Sequence, residues 1–202
     1  MARGRAAGFE HQRDEILRAA ARLFANQGYP GTSMNAVAEA CAVSKPTLYH
    51  YVQDKHELLM QICATHVQWL ETLVTEVQAQ ARAEGLAPEA LLRRLIARFV
   101  QAYGEAQNEH RVLTEDVKFL NDEDRARLLE IERRVVAAFA DAVAAVRPEL
   151  SAAKLHKPLT MLLFGMINWT FTWLKPDGDL SYEAVAPMVA DLFFGGISAV
   201  KA

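Results

Sequence analysis

The sequence predicts an all-α chain of about nine helices, an N-terminal three-helix bundle followed by a larger C-terminal helical part. Ten Gly and seven Pro in 202 residues are too few turn-formers for a sandwich or barrel, while Ala and Leu, both strong helix formers, are abundant. Apolar residues recur at helical spacing from end to end. Charged residues at 23% and hydrophobic residues at 51% are ordinary globular proportions, which excludes disordered, collagen-like and disulfide-scaffold chains.

The first helix is expected from about Phe9 to Asn26, where Ile16, Leu17, Ala20, Leu23 and Phe24 form one apolar face and Gly28 supplies the stop. After the turn Tyr29-Pro30-Gly31, Thr32 or Ser33 caps a short second helix through about Ala40, with Met34, Val37 and Ala38 inward. Ser44 caps a third, Lys45 to Tyr51, with Pro46 in its first turn, where a missing N–H costs nothing. Asp54 caps a long fourth helix whose stripe is Leu58, Leu59, Ile62, Cys63, His66, Leu70, Leu73 and Val77, ended by Gly85.

Three more helices fit between about Ala87 and Arg147. Leu92, Leu95, Ile96, Phe99, Val100 and Tyr103 line the first; Asn108 caps a short second; Asn121 caps the third. Asp122, Glu123 and Asp124 open that third helix, where the helix dipole favours acids. An eighth helix from Ser151 through Leu174, kinked at Pro158, and a ninth from Ser181 to about Val200 complete the chain.

The two cysteines, Cys41 and Cys63, form no CxxC pair and read as small buried hydrophobes in a reducing cytoplasm. The basic start is followed by Phe9-Glu-His-Gln-Arg-Asp-Glu15 and not by an apolar stretch, so no signal peptide is expected. Leu159 to Leu174 is the most apolar run, but Asn168, three threonines and Lys175-Pro176 make it a buried helix and not a membrane span. Charge is uneven. Residues 1–56 hold seven Lys/Arg against five acids, and the remainder fifteen against twenty, which together give the net −3. Any surface facing a polyanion therefore belongs at the N-terminal end.

Two short helices joined by a tight turn, with a longer helix before them, make a helix-turn-helix. A helix enters the DNA major groove only if its outer face is small, polar or basic while its inner face stays anchored. In Ser44-Lys45-Pro46-Thr47-Leu48-Tyr49-His50-Tyr51, Leu48 and Tyr51 are spaced to anchor, and Lys45, Thr47, Tyr49 and His50 are left outside.

The stretch Ile16 to Leu59 resembles the DNA-binding domain of TetR-family transcriptional regulators. The matching pieces are Ala20-Ala21-Arg22-Leu23-Phe24 with Gly28-Tyr29, Thr32-Ser33-Met34-Asn35-Ala36-Val37-Ala38, Val43 through Tyr51, and Lys55-His56-Glu57-Leu58-Leu59. Pro46 stands where the family commonly has Gly, and Val52 where it has Phe; both suit the same geometry. The resemblance implies a DNA-binding domain over 1–56 and an effector-binding and dimerisation domain over 57–202. It implies a recognition helix from Ser44 to His50 with Lys45, Thr47, Tyr49 and His50 near phosphates and base edges, and Thr32, Ser33 and Lys55 touching phosphates. Helix N-termini and hydroxyls are suited to phosphate oxygens. Arg3 and Arg5 are candidates for a flexible arm reaching DNA.

Family members are generally homodimers built on their last two helices. That implies a self-pairing surface from Leu162, Gly165, Met166, Trp169, Val185, Met188, Val189, Leu192, Phe193 and Gly196. An effector pocket is implied among Phe99, Tyr103, Leu113, Phe119, Leu120, Phe139, Met161, Phe164, Asn168 and Trp173. The run Gly165 to Gly178 resembles members that sense acyl-CoA thioesters, so the expected effector is an acyl-CoA or other apolar acid. Arg93, Arg94, Arg98, Arg111, Arg133 and Arg134 are the cations available to such a ligand. The expected partners are thus an operator duplex, this effector and a second copy, in the cytoplasm, with no cofactor, metal or membrane. The expected action is that of a ligand-released repressor. A phosphate-binding Gly loop, HExxH, GxSxG and zinc-spaced Cys/His sets are all missing, which disfavours an enzyme. The competing reading is a helical protein-interaction module without DNA binding.

Overall fold

The computed structural model describes residues 2–175 and 177–201, with side chains from Gly8 onward. Among the described residues the elements are α1 (Ala2–Gln27), α2 (Met34–Ala40), α3 (Lys45–Tyr51), α4 (Lys55–Glu84), α5 (Pro88–Glu105), α6 (Gln107–Asp116), a 3₁₀ turn (Val117–Phe119), α7 (Asp122–Val146), α8 (Pro148–Ala152), α9 (His156–Asn168), α10 (Thr170–Trp173) and α11 (Tyr182–Ile197). No strand occurs among them, and no helix is long and apolar enough to cross a membrane. The chain divides into two compact units, Met1–His66 with Asn108–Leu128, and Val67–Gln107 with Leu129–Ala202.

Helix ends follow local chemistry. Ser33, Ser44 and Ser181 each accept an amide hydrogen bond three residues on, from Ala36, Thr47 and Ala184, and Asp54 and Asn121 do so from Glu57 and Asp124, both at 2.8 Å. Gly28 and Gly85 stop α1 and α4 with φ of +76° and +64°, backbone that a side chain disfavours.

Three expectations need correcting. Helix α1 begins at Ala2 and not near Phe9, so the backbone carrying Arg3 and Arg5 is helical where a flexible arm was anticipated. Asn108 lies inside α6 and caps nothing, because that helix already starts at Gln107. The eighth helix anticipated from Ser151 to Leu174 is broken into three. Ser151 sits within α8, which closes through Leu155 N–H to Leu150 O at 2.8 Å with Lys154 at φ +59°. Pro158 then falls in the first turn of α9, where it starts a helix instead of kinking one.

In the second unit, α5 buries Leu92, Leu95, Ile96, Phe99 and Val100 completely. The Phe139 ring of α7 contacts Phe99 and Phe164 with centroids 4.7 and 4.9 Å away, all at steep angles that suit aromatic quadrupoles. Helix α11 packs on α5, burying Val185, Val189, Phe193 and Ile197. Its last carbonyl, Ile197 O, and Val200 O just beyond it receive the Arg147 guanidinium. Gly104 of α5 is what lets Tyr182 approach: a Cβ there would stand 2.6 Å from the tyrosine ring. Gly104→Ala is therefore expected to destabilise the fold by about 1–3 kcal/mol in urea unfolding, as overpacking does. Gly8→Ala, in open space on α1, should instead stabilise by roughly 0.5–1 kcal/mol.

Candidate nucleic-acid interface

Helices α1, α2 and α3 pack in series within the first unit. Leu48, at 0% exposure, anchors α3 inward, and Val52 just beyond the helix is also buried. Lys45, Pro46, Thr47, Tyr49 and His50 are all exposed, so the outer face is polar and aromatic. Ser44 is tied up as the cap, its hydroxyl 2.7 Å from the Thr47 hydroxyl, and the Lys45 ammonium lies 6.0 Å from the centre of the Tyr49 ring. Ser33, the cap of α2, is exposed as well.

Two residues expected at phosphates have internal partners. Thr32 is 1% exposed and donates its hydroxyl to Gly28 O at 3.0 Å. Lys55 is half-buried; its ammonium donates to Tyr29 O at 2.8 Å, Thr32 O at 2.9 Å and Pro30 O at 3.4 Å, and lies over the Tyr29 ring. Its ammonium thus bridges three carbonyls of the α1–α2 turn, of which Tyr29 O also accepts from the Thr32 amide.

The same unit holds contacts that the sequence did not reveal. Phe9 stacks on Tyr51. Tyr29 stacks on Phe119 with centroids 5.3 Å apart. His56 Nε2 meets Asp124 Oδ2 at 2.9 Å, and Asn121 Nδ2 reaches both. The His56 contact and the Asn121 hydrogen bond hold the Asp124 carboxyl below its usual range. Behind them, the buried rings of His66 on α4 and His110 on α6 are 3.4 Å apart at Nε2 and Nδ1.

The ten residues assigned to one effector pocket are not gathered in one unit. Leu113, Phe119 and Leu120 belong to the first, whereas Phe99, Tyr103, Phe139, Phe164 and Asn168 belong to the second. Met161 and Trp173 stand 57% and 55% exposed. In the second unit, Tyr103 donates to Asn168 Oδ1 at 3.0 Å. Burial raises the Tyr103 phenol and the nearby Glu132 carboxyl above their ordinary values.

The self-pairing list also divides. Val185, Val189 and Phe193 are core residues of the unit and so not on offer to a second chain, whereas Met166 is half-buried. Leu162, Gly165, Trp169, Met188, Leu192 and Gly196 are exposed. Of the arginines, Arg93 pairs with Glu89 and Asp191, Arg94 with Glu84, Arg111 with Glu115 and Arg134 with Glu71. Arg98 donates instead to Gln101.

An exposed seven-residue helix held from behind by one buried leucine, with a capped helix before it, is the geometry of a groove-reading element. The pattern of the family "Bacterial regulatory proteins, tetR family" matches residues 16–62, and that of "Tetracyclin repressor-like, C-terminal domain" matches residues 85–197. The chain belongs to the TetR family. It is therefore a DNA-binding transcriptional regulator and not an enzyme, and the interaction-module reading is set aside.

A TetR-family regulator from Bordetella parapertussis is 34% identical with a TM-score of 0.85, over 94% of this chain and 98% of its own. AibR, solved with isovaleryl coenzyme A and operator DNA, is 26% identical with a TM-score of 0.75, over 90% of this chain and 97% of its own. The transcriptional repressor KstR2 of Mycolicibacterium smegmatis is 22% identical over 93% of this chain and 91% of its own.

Burial first, and His110 second, push His66 down to about 3. The unfolded chain, whose histidines titrate near 6.5, then binds the extra proton more readily than the native state. Stability should be full above about pH 6.5 and fall by roughly 1.4 kcal/mol per pH unit as pH drops through the window toward 3. Urea midpoints of the parent and His66→Gln at pH 7 and pH 5 check this: the parent should lose distinctly more than the variant, and equal losses would overturn it.

Proposed function

We propose that the protein is a ligand-released repressor that binds a near-palindromic operator as a homodimer, residing in the cytoplasm with its DNA. The residues 1–56 serve DNA binding and 57–202 serve effector binding and pairing. Ser44, Lys45, Thr47, Tyr49 and His50 lie at the major groove, with Ser33 at a phosphate. Thr32 and Lys55 support this surface from beneath by ordering the turn before α2.

The observation that carries the reading is the one-sided burial of α3, Leu48 in and Lys45, Thr47, Tyr49 and His50 out. Reading two half-sites requires two such helices about 34 to 36 Å apart, which one copy does not supply. The apolar row Leu162, Trp169, Met188 and Leu192, each more than half exposed, is the surface for that pairing. Gly165 and Gly196 beside it allow close approach.

The effector reading is supported by AibR, which binds isovaleryl coenzyme A, and by the aromatic interior around Phe99, Phe139 and Phe164 with Tyr103 and Asn168 as its polar spot. An acyl-CoA or similar apolar acid fits that chemistry. Four of the six arginines singled out for such a ligand are matched by acids, which leaves the exposed Arg133 and the half-buried Arg98 to meet a CoA phosphate. A coupling of ~1 to 3 kcal/mol between effector and operator suffices for a 5- to 150-fold release.

Footprinting on DNA flanking the protein's own gene, repeated with isovaleryl-CoA and longer acyl-CoAs, tests both halves. Protection lost on adding thioester supports the whole reading; protection that no thioester alters removes the effector half alone. Lys45→Ala and Tyr49→Phe should each weaken the protected duplex without lowering the thermal midpoint, since both side chains are exposed. Lys45→Ala should also flatten the dependence of log affinity on log salt by about one per subunit, about two for the dimer. Parent-like affinity in both variants would dismiss this surface.

A further inference from the structure

Phe9 is a large apolar side chain left 37% exposed on α1. Its ring lies on that of Tyr51, centroids 4.6 Å apart and planes 27° from parallel. The His50 imidazole stands across this stack, 6.1 Å and 85° from Phe9 and 5.8 Å and 81° from Tyr51. His50 and Tyr51 are the last two residues of α3, so the cluster joins the first helix directly to the far end of the third. It runs beside the packing of α1 on α2 and of α2 on α3.

Two physical facts give the cluster a task. The last turn of a short helix frays, and an exposed side chain on it changes rotamer within nanoseconds. A perpendicular ring packed against a stacked pair is restricted, because edge-to-face contacts are favourable only within a narrow range of angles. Phenylalanine itself has no charge and no hydrogen-bonding group, so it cannot bind a phosphate or read a base edge by hydrogen bonding. Its effect on such recognition must pass through the side chains it touches.

We propose that Phe9 is a positioning residue for DNA reading, its ring stacked on Tyr51 so that the His50 imidazole is held ready for the duplex. The proposal rests on the reading of α3 as the recognition helix with His50 on its DNA face, and it adds a residue that lies outside the helix-turn-helix. Ordering His50 before binding removes a cost that would otherwise be met at the interface. It also fixes which ring edge the groove meets.

The test is a double-mutant cycle on the full-length protein, with fluorescence anisotropy on the duplex that footprinting protects. Phe9→Ala is expected to weaken binding about three- to ten-fold, with an unchanged thermal midpoint. In a His50→Ala background the same change should cost less than two-fold. Phe9→Tyr should restore affinity; Phe9→Leu, which keeps apolar bulk without a flat ring, should not. Restoration by leucine would mean that Phe9 only plugs the surface and would overturn the proposal, as would equal losses in the two backgrounds. If His50→Ala weakens binding while Phe9→Ala does not, the inference about Phe9 fails alone. If His50→Ala binds like the parent, the DNA-face reading of His50 fails and takes this inference with it.

Discussion

Helix α3 is seven residues long, and a helix of that length is unstable by itself in water because nucleation outweighs its few hydrogen bonds. What holds it is the complete burial of Leu48, with help at both ends: Ser44 satisfies an orphan amide at the start, and the Val52 amide closes on Leu48 O at the finish. Pro46 contributes by fixing φ in the first turn, where it sacrifices no hydrogen bond. The free outer face follows from the same fact. With anchoring assigned to Leu48 and to the half-buried Tyr51, the remaining side chains owe nothing to the core, and their chemistry can be spent on a ligand.

The unit that contains α3 is larger than the helix-turn-helix because Asn108–Leu128 belongs to it. That segment is fastened by unlike interactions: a ring stack at Tyr29 and Phe119, a charge-assisted contact at His56 and Asp124, and a buried imidazole pair at His66 and His110. Ring stacking tolerates sliding, whereas the carboxylate contact needs a particular angle, so the two together define the segment's placement better than either alone. Lys55 shows the same economy. Its ammonium closes the turn that presents Ser33, and a charge that reads as a phosphate ligand in the sequence becomes part of the scaffold beneath one.

Much of this fold was legible because its boundaries are written in short-range chemistry. Ser33, Ser44, Asp54, Asn121 and Ser181 act as caps, and Gly28 and Gly85 as stops, each through an interaction spanning three or four residues. The errors came where a local signal had two meanings. Pro158 reads equally as a kink within a helix or as the first turn of a new one, and Lys154 at positive φ decides between them without leaving a mark in composition. Asn108 is a good cap residue that the chain passed over because α6 started one residue earlier.

The candidate site was legible in proportion to how local its logic is. One-sided burial of α3 shows in the spacing of Leu48 among polar residues. The division of α11 does not, because Val185, Met188, Val189, Leu192 and Phe193 are all apolar, and the two acids Glu183 and Asp191 that share the exposed face with Met188 and Leu192 are too few to mark it. Only packing separates the buried row that faces α5 from Met188 and Leu192, which stand 51% and 70% exposed. Phe9 is hidden for the opposite reason: its partners lie more than forty positions away, and nothing within its own turn of α1 distinguishes a surface phenylalanine from a splint. A sequence therefore reports which residues are anchored against their own neighbours, and falls silent where one helix is completed by another far along the chain.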